Sequence, residues 1–440
     1  MKKTIIISAA VLAGIVFKAK AQETVYPVKP HKGVYYITNA TVHVGNGQVI
    51  ENATIKINDD KIEQIGAGIS AQGGDVLDAK GKQVYPGLIL SATDLGLKEI
   101  ANGVRGSNDF EELGDMNPDV KSITAYNTAS KIINVLRDNG ILLANIVPEG
   151  SMITGTSSVV QLDAWNYEDA VYKLNNGIHF DMPRLMMRFG RGGGGGGFRR
   201  MGEGPAADPV KEGLDKIEGV KSFFRQAKAY LAESTHEKTN LKFEAVKGLF
   251  DKSQKFYIHC DIVKEMLVAV DFVKEFGFDV VIVGGSDSYQ MAPLLKQNNI
   301  AVILKEMHSL PTSTDDDFDQ PYKTPAVLQK AGVLFAINDT HDESRYRNLP
   351  FNAGTAVAYG LTKEEALAAI TLNPAKILGI ADKTGTLEAG KDANIVISDG
   401  DILDMKSSII TDAFIQGRKL PLDDKQKELY ERYKYKYGFK

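Results

Sequence analysis

Cysteine is nearly absent from this chain. Cys260 is the single cysteine among 440 residues, so an intramolecular disulfide and a cysteine-based structural zinc site are both excluded. Stability therefore has to come from a packed core. The hydrophobic content of 43% supplies enough apolar material for a sizeable one.

An excess of basic charge is also lacking. The chain has 52 Lys and Arg residues against 56 Asp and Glu residues, which gives a formal net charge of −4 at pH 7. Proteins that bind nucleic acids concentrate positive charge on one surface. Nucleic acid is therefore not an expected partner.

Long apolar runs are confined to the N-terminus. Two lysines precede an apolar stretch over 4–17, and Ala19 and Ala21 then place small residues at alternate positions, as a signal-peptide cleavage site requires. We predict a signal peptide over 1–21, cleavage before Gln22, and export to the periplasm or the medium. The alternative is an uncleaved anchor, although the stretch is short for a bilayer span. Cleavage removes four lysines and no acidic residue, changes the formal net charge to −8 and leaves no membrane anchor.

Short β-rich segments lie at both ends of the mature chain. Residues 33–80 are rich in β-branched residues and punctuated by Gly and Asn turns, and residues 385–420 return to the same pattern. We predict that they pair into one small β-sandwich domain. It comprises residues 22–84 and 385–440, and the second part ends in an amphipathic helix.

Between these ends, short apolar runs alternate with helical stretches. The predicted strands cover 84–90, 141–147, 256–260, 280–283, 301–304 and 333–337. The predicted helices lie near 119–138, 209–233, 262–276, 288–297, 323–331 and 363–371. This alternation predicts an α/β fold with a (β/α)8 TIM barrel over 85–384, whose remaining strands fall between 150 and 185. Thr362 and Glu365 have the spacing of a helix capping box.

One low-complexity segment interrupts the barrel region. Residues 188–200 read RFGRGGGGGGFRR, and six consecutive glycines lose a large backbone entropy on ordering. One hypothesis is a disordered surface insertion. The other is a mobile lid whose arginines contact anionic groups.

Polar residues follow several predicted strands, where a parallel barrel carries its chemistry. Asp94 comes after the first strand, Ser286 and Asp287 come after a later one, behind Gly284 and Gly285, and Asp339 comes after the last. His259 lies within its strand, and the strand period places it on the same face as Asp261.

Four segments carry a family resemblance. They are VYPGLI at 84–89, GLTKEEAL at 360–367, TLNPAKILG at 371–379 and GTLEAGKDAN at 385–394. With these motifs the chain resembles the amidohydrolase superfamily, close to its imidazolonepropionase-like members, over most of its mature length. The resemblance implies the barrel, the split β domain, and hydrolysis at one or two divalent ions, usually zinc.

The resemblance also implies a ligand set, from which this chain departs. The superfamily has His-x-His after the first strand, two further histidines on later strands, and an aspartate after the last strand. Ala92 and Asp94 stand at the His-x-His positions, and Gly284 stands at a later histidine. Only His259 and Asp339 fall on implied ligand positions, with His179 near the fourth strand.

Three hypotheses follow from this eroded ligand pattern. In the first, the metal site is lost, and a non-catalytic or weakly active barrel binds a small amide or peptide, or a catalytically intact relative. In the second, Asp94, His259 and Asp339 form a rebuilt site for one divalent ion. Asp339 would then be the general base in the hydrolysis of non-peptide C–N bonds or small peptides, and His259 a ligand or electrophile. In the third, the protein is a scaffold that acts through residues 188–200.

Overall fold

The computed structural model describes residues 26–99, 112–150, 152–186, 208–305, 307–312, 315–340 and 344–439. The predicted signal peptide over 1–21 and the glycine-rich segment over 188–200 lie outside these residues. Within them, every helix is too short or too polar to cross a bilayer.

The strands of the described residues belong to two sheets. In chain order they are β1 (Val34–His43), β2 (Val49–Asn58), β3 (Lys61–Ala67), β4 (Asp75–Asp78), β5 (Gln83–Pro86), β6 (Leu88–Thr93), β7 (Ile141–Ile146), β8 (Ile153–Gln161), β9 (Val171–Asp181), β10 (Lys255–Cys260), β11 (Val280–Gly284), β12 (Ala301–Leu304), β13 (Phe335–Ile337), β14 (Ile395–Ser398), β15 (Ile410–Ile415) and β16 (Arg418–Lys419).

The helices of the described residues lie mostly between the strands of the second sheet. In chain order they are α1 (Lys131–Arg137), α2 (Tyr167–Ala170), α3 (Pro209–Ala232), α4 (Leu241–Ala245), α5 (Lys247–Phe250), α6 (Val263–Phe276), α7 (Ser288–Gln297), α8 (Gln320–Ala331), α9 (Leu349–Ala358), α10 (Lys363–Ala368), α11 (Leu372–Leu378) and α12 (Lys425–Tyr437). Short 3₁₀ turns cover Ser122–Ala125 and Tyr346–Asn348.

The first sheet is built from both ends of the chain. Its strand order is β16-β15-β14-β5-β1-β2-β3, with β4 beside β1. The C-terminal strand β14 pairs antiparallel with the N-terminal strand β5. Buried side chains of both chain ends, such as Ile55, Ile57 and Phe414, share one apolar core. The prediction of a small β domain formed by both chain ends is confirmed.

The second sheet is the barrel, with strand order β6 to β13. Its strands pair in parallel except β8, which runs antiparallel to both β7 and β9. The predicted α/β barrel fold is confirmed, and β8 and β9 are the strands expected between 150 and 185. The prediction of a wholly parallel barrel is wrong at β8, because a short connection through α2 turns the chain straight back along its neighbour.

The predicted strand over 84–90 is two strands, one in each sheet. Gly87 lies between β5 and β6, and its N–H donates to the Asn394 carbonyl oxygen at 2.9 Å. A Cβ atom at position 87 would lie 2.7 Å from Leu142 Cδ1. Glycine therefore lets the chain cross from one sheet to the other in close contact with both.

Helix boundaries follow local capping residues more closely than they follow the spacing of apolar residues. The predicted helix over 119–138 is wrong in its first half, and α1 begins only after Ser130, whose side chain caps it. The segment before it is rich in Ser, Thr and Asn, which favour turns and caps over helix interiors. The capping box of Thr362 and Glu365 at the start of α10 is confirmed.

Candidate functional site

A cavity of about 320 Å³ opens at the carboxyl end of the barrel strands. Below it, the barrel interior is packed with aliphatic side chains such as Ile89, Leu143, Val281 and Ile303. The polar and charged side chains in the cavity wall come from the ends of six strands: Asp94, Glu149, Asp181, His259, Lys305 and Thr340. Two predicted site residues, Asp94 and His259, therefore share one cavity.

His259 is held by a second histidine. Its Nε2 atom lies 2.9 Å from Nδ1 of His179, which is fully buried and stacked on the Tyr257 ring at a centroid distance of 4.6 Å. Burial lowers the pKa of His259 to about 3, helped by the nearby Lys305 ammonium, and places the pKa of His179 well below its ordinary value. Both rings are therefore neutral at neutral pH.

Asp181 lies on the other side of the His259 ring. Its Oδ1 atom is 3.6 Å from His259 Nδ1. Burial raises the pKa of Asp181 to about 7, and the Glu149 carboxylate adds to the rise while the Lys305 ammonium opposes it. Asp181, Glu149 and Lys305 are site residues that sequence reasoning missed. For Lys305 the signal was present, since it directly follows β12.

Asp94 is engaged by a residue from a distant loop. The Tyr346 hydroxyl, in the 3₁₀ turn after β13, donates a hydrogen bond to Asp94 Oδ1. Both side chains are buried, and Ala92 lies beside them in the cavity wall without a polar atom. Tyr346 therefore occupies one carboxylate oxygen at the end of the first barrel strand.

Asp339 does not line the cavity, although it follows β13. It is fully buried, and its Oδ2 atom accepts a hydrogen bond of 2.9 Å from Asn352 Nδ2 in α9. The structure thus brings Asp94 and His259 together and places Asp339 against the helix behind them.

Asp261 and Gly284 face a different cavity, between the ends of β11 and β12. The prediction that Asp261 shares the His259 face is wrong, because β10 ends at Cys260 and the alternation ends with it. The Asp261 carboxylate instead accepts a hydrogen bond from Ser286 Oγ at 3.1 Å and lies 3.5 Å from Lys305 Nζ.

The surroundings of position 284 require a glycine there. The φ of Gly284 is +109°, and a Cβ atom there would overlap Asp261 Oδ1 and lie 2.8 Å from the Cys260 carbonyl oxygen. We expect Gly284→Ala to lower the free energy of unfolding by about 1–3 kcal/mol, because it adds backbone strain and a steric clash. Urea unfolding followed by circular dichroism measures the change.

Gly277→Ala is the matched control, since Gly277 has φ of +75° but nothing within 4 Å of the added Cβ. It carries the backbone strain without the clash, so it should cost less. Equal losses for the two variants would contradict the role given to Asp261. A histidine at 284 brings the same Cβ atom and the same clash.

Comparisons with known proteins agree with the fold and the motifs. Residues 324–420 match the model of the amidohydrolase family. An imidazolonepropionase from Thermoplasma volcanium is 26% identical over 377 residues, which cover 80% of this chain and 85% of that protein. The chain is therefore similar to amidohydrolases in sequence over most of its length. An amidohydrolase structure from Thermotoga maritima has this fold, with a TM-score of 0.74 and 24% identity over 88% of this chain and 99% of that one.

Amidohydrolases are typically metal-dependent. A zinc-bound adenosine deaminase from Xanthomonas campestris shares the fold at 15% identity, with a TM-score of 0.51 over 93% of this chain and 99% of that one. Catalytic zinc normally takes three protein ligands. In the part of this chain that the structure describes, no group of three or more His, Cys, Asp or Glu residues is placed to hold a metal ion.

At each implied ligand that the chain retains or replaces with a carboxylate, one donor atom already has a protein partner. Asp94 Oδ1 accepts from Tyr346, His259 Nε2 faces His179, and Asp339 Oδ2 accepts from Asn352. The side chains of Ala92 and Gly284 have no donor atom. These residues therefore do not fit a zinc site of the superfamily's usual kind.

Proposed function

We propose that this protein is an exported amidohydrolase-fold barrel that binds a small ligand in its mouth without the superfamily's metal. The observation that carries the proposal is the pairing of Asp94, His259 and Asp339 with Tyr346, His179 and Asn352. His259 Nε2 could bind a metal only by giving up its contact with His179, which would leave a buried polar partner unsatisfied at a cost of about 1–3 kcal/mol.

The surroundings of Gly284 support the same proposal. At this position the chain has no donor atom, and the Asp261 carboxylate fills the space that a side chain would need. A single reversion to histidine cannot be accommodated without moving Asp261. The change at this strand end therefore involves the packing around it as well as one ligand.

Positions 92 and 94, at the end of the first barrel strand β6, offer a direct test. We expect the wild type to take up no stoichiometric zinc, and Ala92→His/Asp94→His to take up about one equivalent, because His259 would complete three protein ligands. Titration calorimetry with zinc chloride on both proteins measures the uptake. The same variant carrying His259→Ala is the control and should lose the zinc. A folded double variant without zinc affinity would contradict this reconstruction.

Export is a part of the proposal with its own experiment. The basic start, the apolar stretch and the small residues at 19 and 21 support cleavage before Gln22. N-terminal sequencing of the protein from fractionated native cells should yield a mature chain that begins at Gln22. An intact N-terminus in the exported fraction would contradict the cleavage.

A metal-dependent hydrolase of C–N bonds is the second candidate. It is favoured by one observation, namely that Asp94 and His259 line the same cavity. Asp339, which it needs as the base, lies outside the lining of that cavity. Turnover of amides or small peptides that is abolished by Asp339→Asn would establish it and overturn the binding proposal.

A further inference from the structure

The charges of the barrel mouth are divided between two sides. Asp94 and Glu149 follow β6 and β7, Asp181 is the last residue of β9, and Lys305 follows β12. Because the barrel strands neighbour one another in chain order, the three acidic side chains form an arc and Lys305 stands outside it. A cavity with opposite charges on different walls is complementary to a ligand that carries both charges.

The buried strand before Lys305 and an ion pair position this residue in the cavity wall. Every residue of the preceding strand β12 is buried, and Lys305 Nζ lies 3.5 Å from Asp261 Oδ2. Its side chain is 36% exposed and lines the mouth cavity as well as the cavity of Asp261. Lys305 lines the same cavity as Asp181 and His259, so its ammonium faces the same enclosed space as these side chains.

Part of the remaining lining is apolar. The aliphatic groups of Ala92, Val147, Pro148 and Val283 contribute to the wall. The volume of about 320 Å³ lies near the lower end of the range of about 300–1,000 Å³ for small-molecule sites. This size favours a single compact ligand.

We propose that the mouth binds a free α-amino acid with a short aliphatic side chain. Its ammonium would lie against Asp181 and Glu149, and its carboxylate against Lys305. Its side chain would pack on Val147 and Val283. This inference rests on the proposed function, since it assigns a ligand to a mouth that holds no metal.

Changes on the ligand test the two charge contacts without altering the protein. L-leucinol keeps the ammonium and lacks the carboxylate, and 4-methylpentanoate keeps the carboxylate and lacks the ammonium. Calorimetry on the zinc-free wild type should show L-leucine binding at least about tenfold more tightly than either analogue. Equal binding of L-leucine and L-leucinol would overturn the inference, as would the absence of binding for every aliphatic amino acid at millimolar concentration.

A variant locates the carboxylate contact. Lys305→Met should remove the preference for L-leucine over L-leucinol, because the cation that distinguishes them is gone. Lys264→Met is the matched control: Lys264 is an exposed lysine of α6, and the preference should persist there. Thermal unfolding of both variants checks the fold. A preference that survives in folded Lys305→Met would overturn the assignment of Lys305.

The same preparation separates this inference from the proposed function. Metal-free protein that binds no aliphatic amino acid overturns the ligand assignment alone. Protein that holds a stoichiometric metal overturns the proposed function and, with it, the setting on which this inference rests.

Discussion

Asn338→Ala should lower the free energy of unfolding by about 3–4 kcal/mol, because it leaves at least two buried backbone groups without partners. Asn338 is fully buried just after β13, at the seam between the last and first barrel strands. Its Oδ1 atom accepts from Ser91 N at 2.8 Å, and its Nδ2 atom donates to the Ala92 carbonyl oxygen at 2.8 Å.

The seam depends on this side chain because the β6 ladder is interrupted there. The register of β6 against β7 shifts between Leu90 and Thr93, so Ser91 and Ala92 have no ladder partners in β7. Asn145 Nδ2 donates to the Ser91 carbonyl oxygen from the other side at 3.1 Å. Two buried asparagines thus hydrogen-bond the backbone groups of Ser91 and Ala92, which position the β6 end of the mouth.

Urea unfolding followed by circular dichroism measures the loss. Asn298→Ala is the matched control, since Asn298 is half-buried and makes one local hydrogen bond, to the Leu294 carbonyl oxygen at 2.8 Å. It should cost no more than about 1 kcal/mol. If both variants lost the same small amount, the seam would not depend on Asn338.

Asp163→Ala should destabilise the protein by about 3–5 kcal/mol, the usual cost of removing one partner from a buried ion pair. The Asp163 carboxylate lies 3.0 Å from Arg137 Nη1 and 3.1 Å from Arg418 Nη1, and it accepts a hydrogen bond from Val28 N at 3.1 Å. These groups belong to α1, β16 and the N-terminal segment, so one carboxylate connects the barrel to both ends of the chain.

The cost arises from the two guanidinium groups that remain. The Arg137 and Arg418 side chains are only 4% and 11% exposed, so water cannot replace the lost carboxylate. Asp169→Ala is the control, because Asp169 is an exposed acid of the neighbouring α2. Its effect should stay within about 0.5 kcal/mol. A similar small loss for Asp163→Ala in urea unfolding would contradict the account of this network.

Local signals predicted much of the fold. The strands at 301–304 and 280–283 and the helix at 288–297 follow from apolar runs and turns, and the Thr362 capping box marks its helix start. The antiparallel direction of β8 was not predictable in this way. Strand direction depends on which neighbours pair, and apolar pattern is the same for either direction.

Sequence reasoning predicted which strand ends carry the candidate site residues. It did not predict the contacts that these side chains make. The rule that chemistry follows barrel strands found Asp94 and His259, and applied to β12 it would have found Lys305. The partners Tyr346 and Asn352 come from the segment after β13, and no local pattern relates them to Asp94 or Asp339. The clash of a Cβ atom at Gly284 with Asp261 is likewise a tertiary contact.

Metal content tests the central claim most directly. Elemental mass spectrometry on the mature protein, purified from its native source without chelator or affinity tag, should find far less than one equivalent of zinc, manganese or iron. Incubation with zinc followed by desalting should leave that result unchanged. About one or more equivalents in the wild type, lost in His259→Ala, would show a working metal centre and contradict the proposal of a metal-free binding barrel.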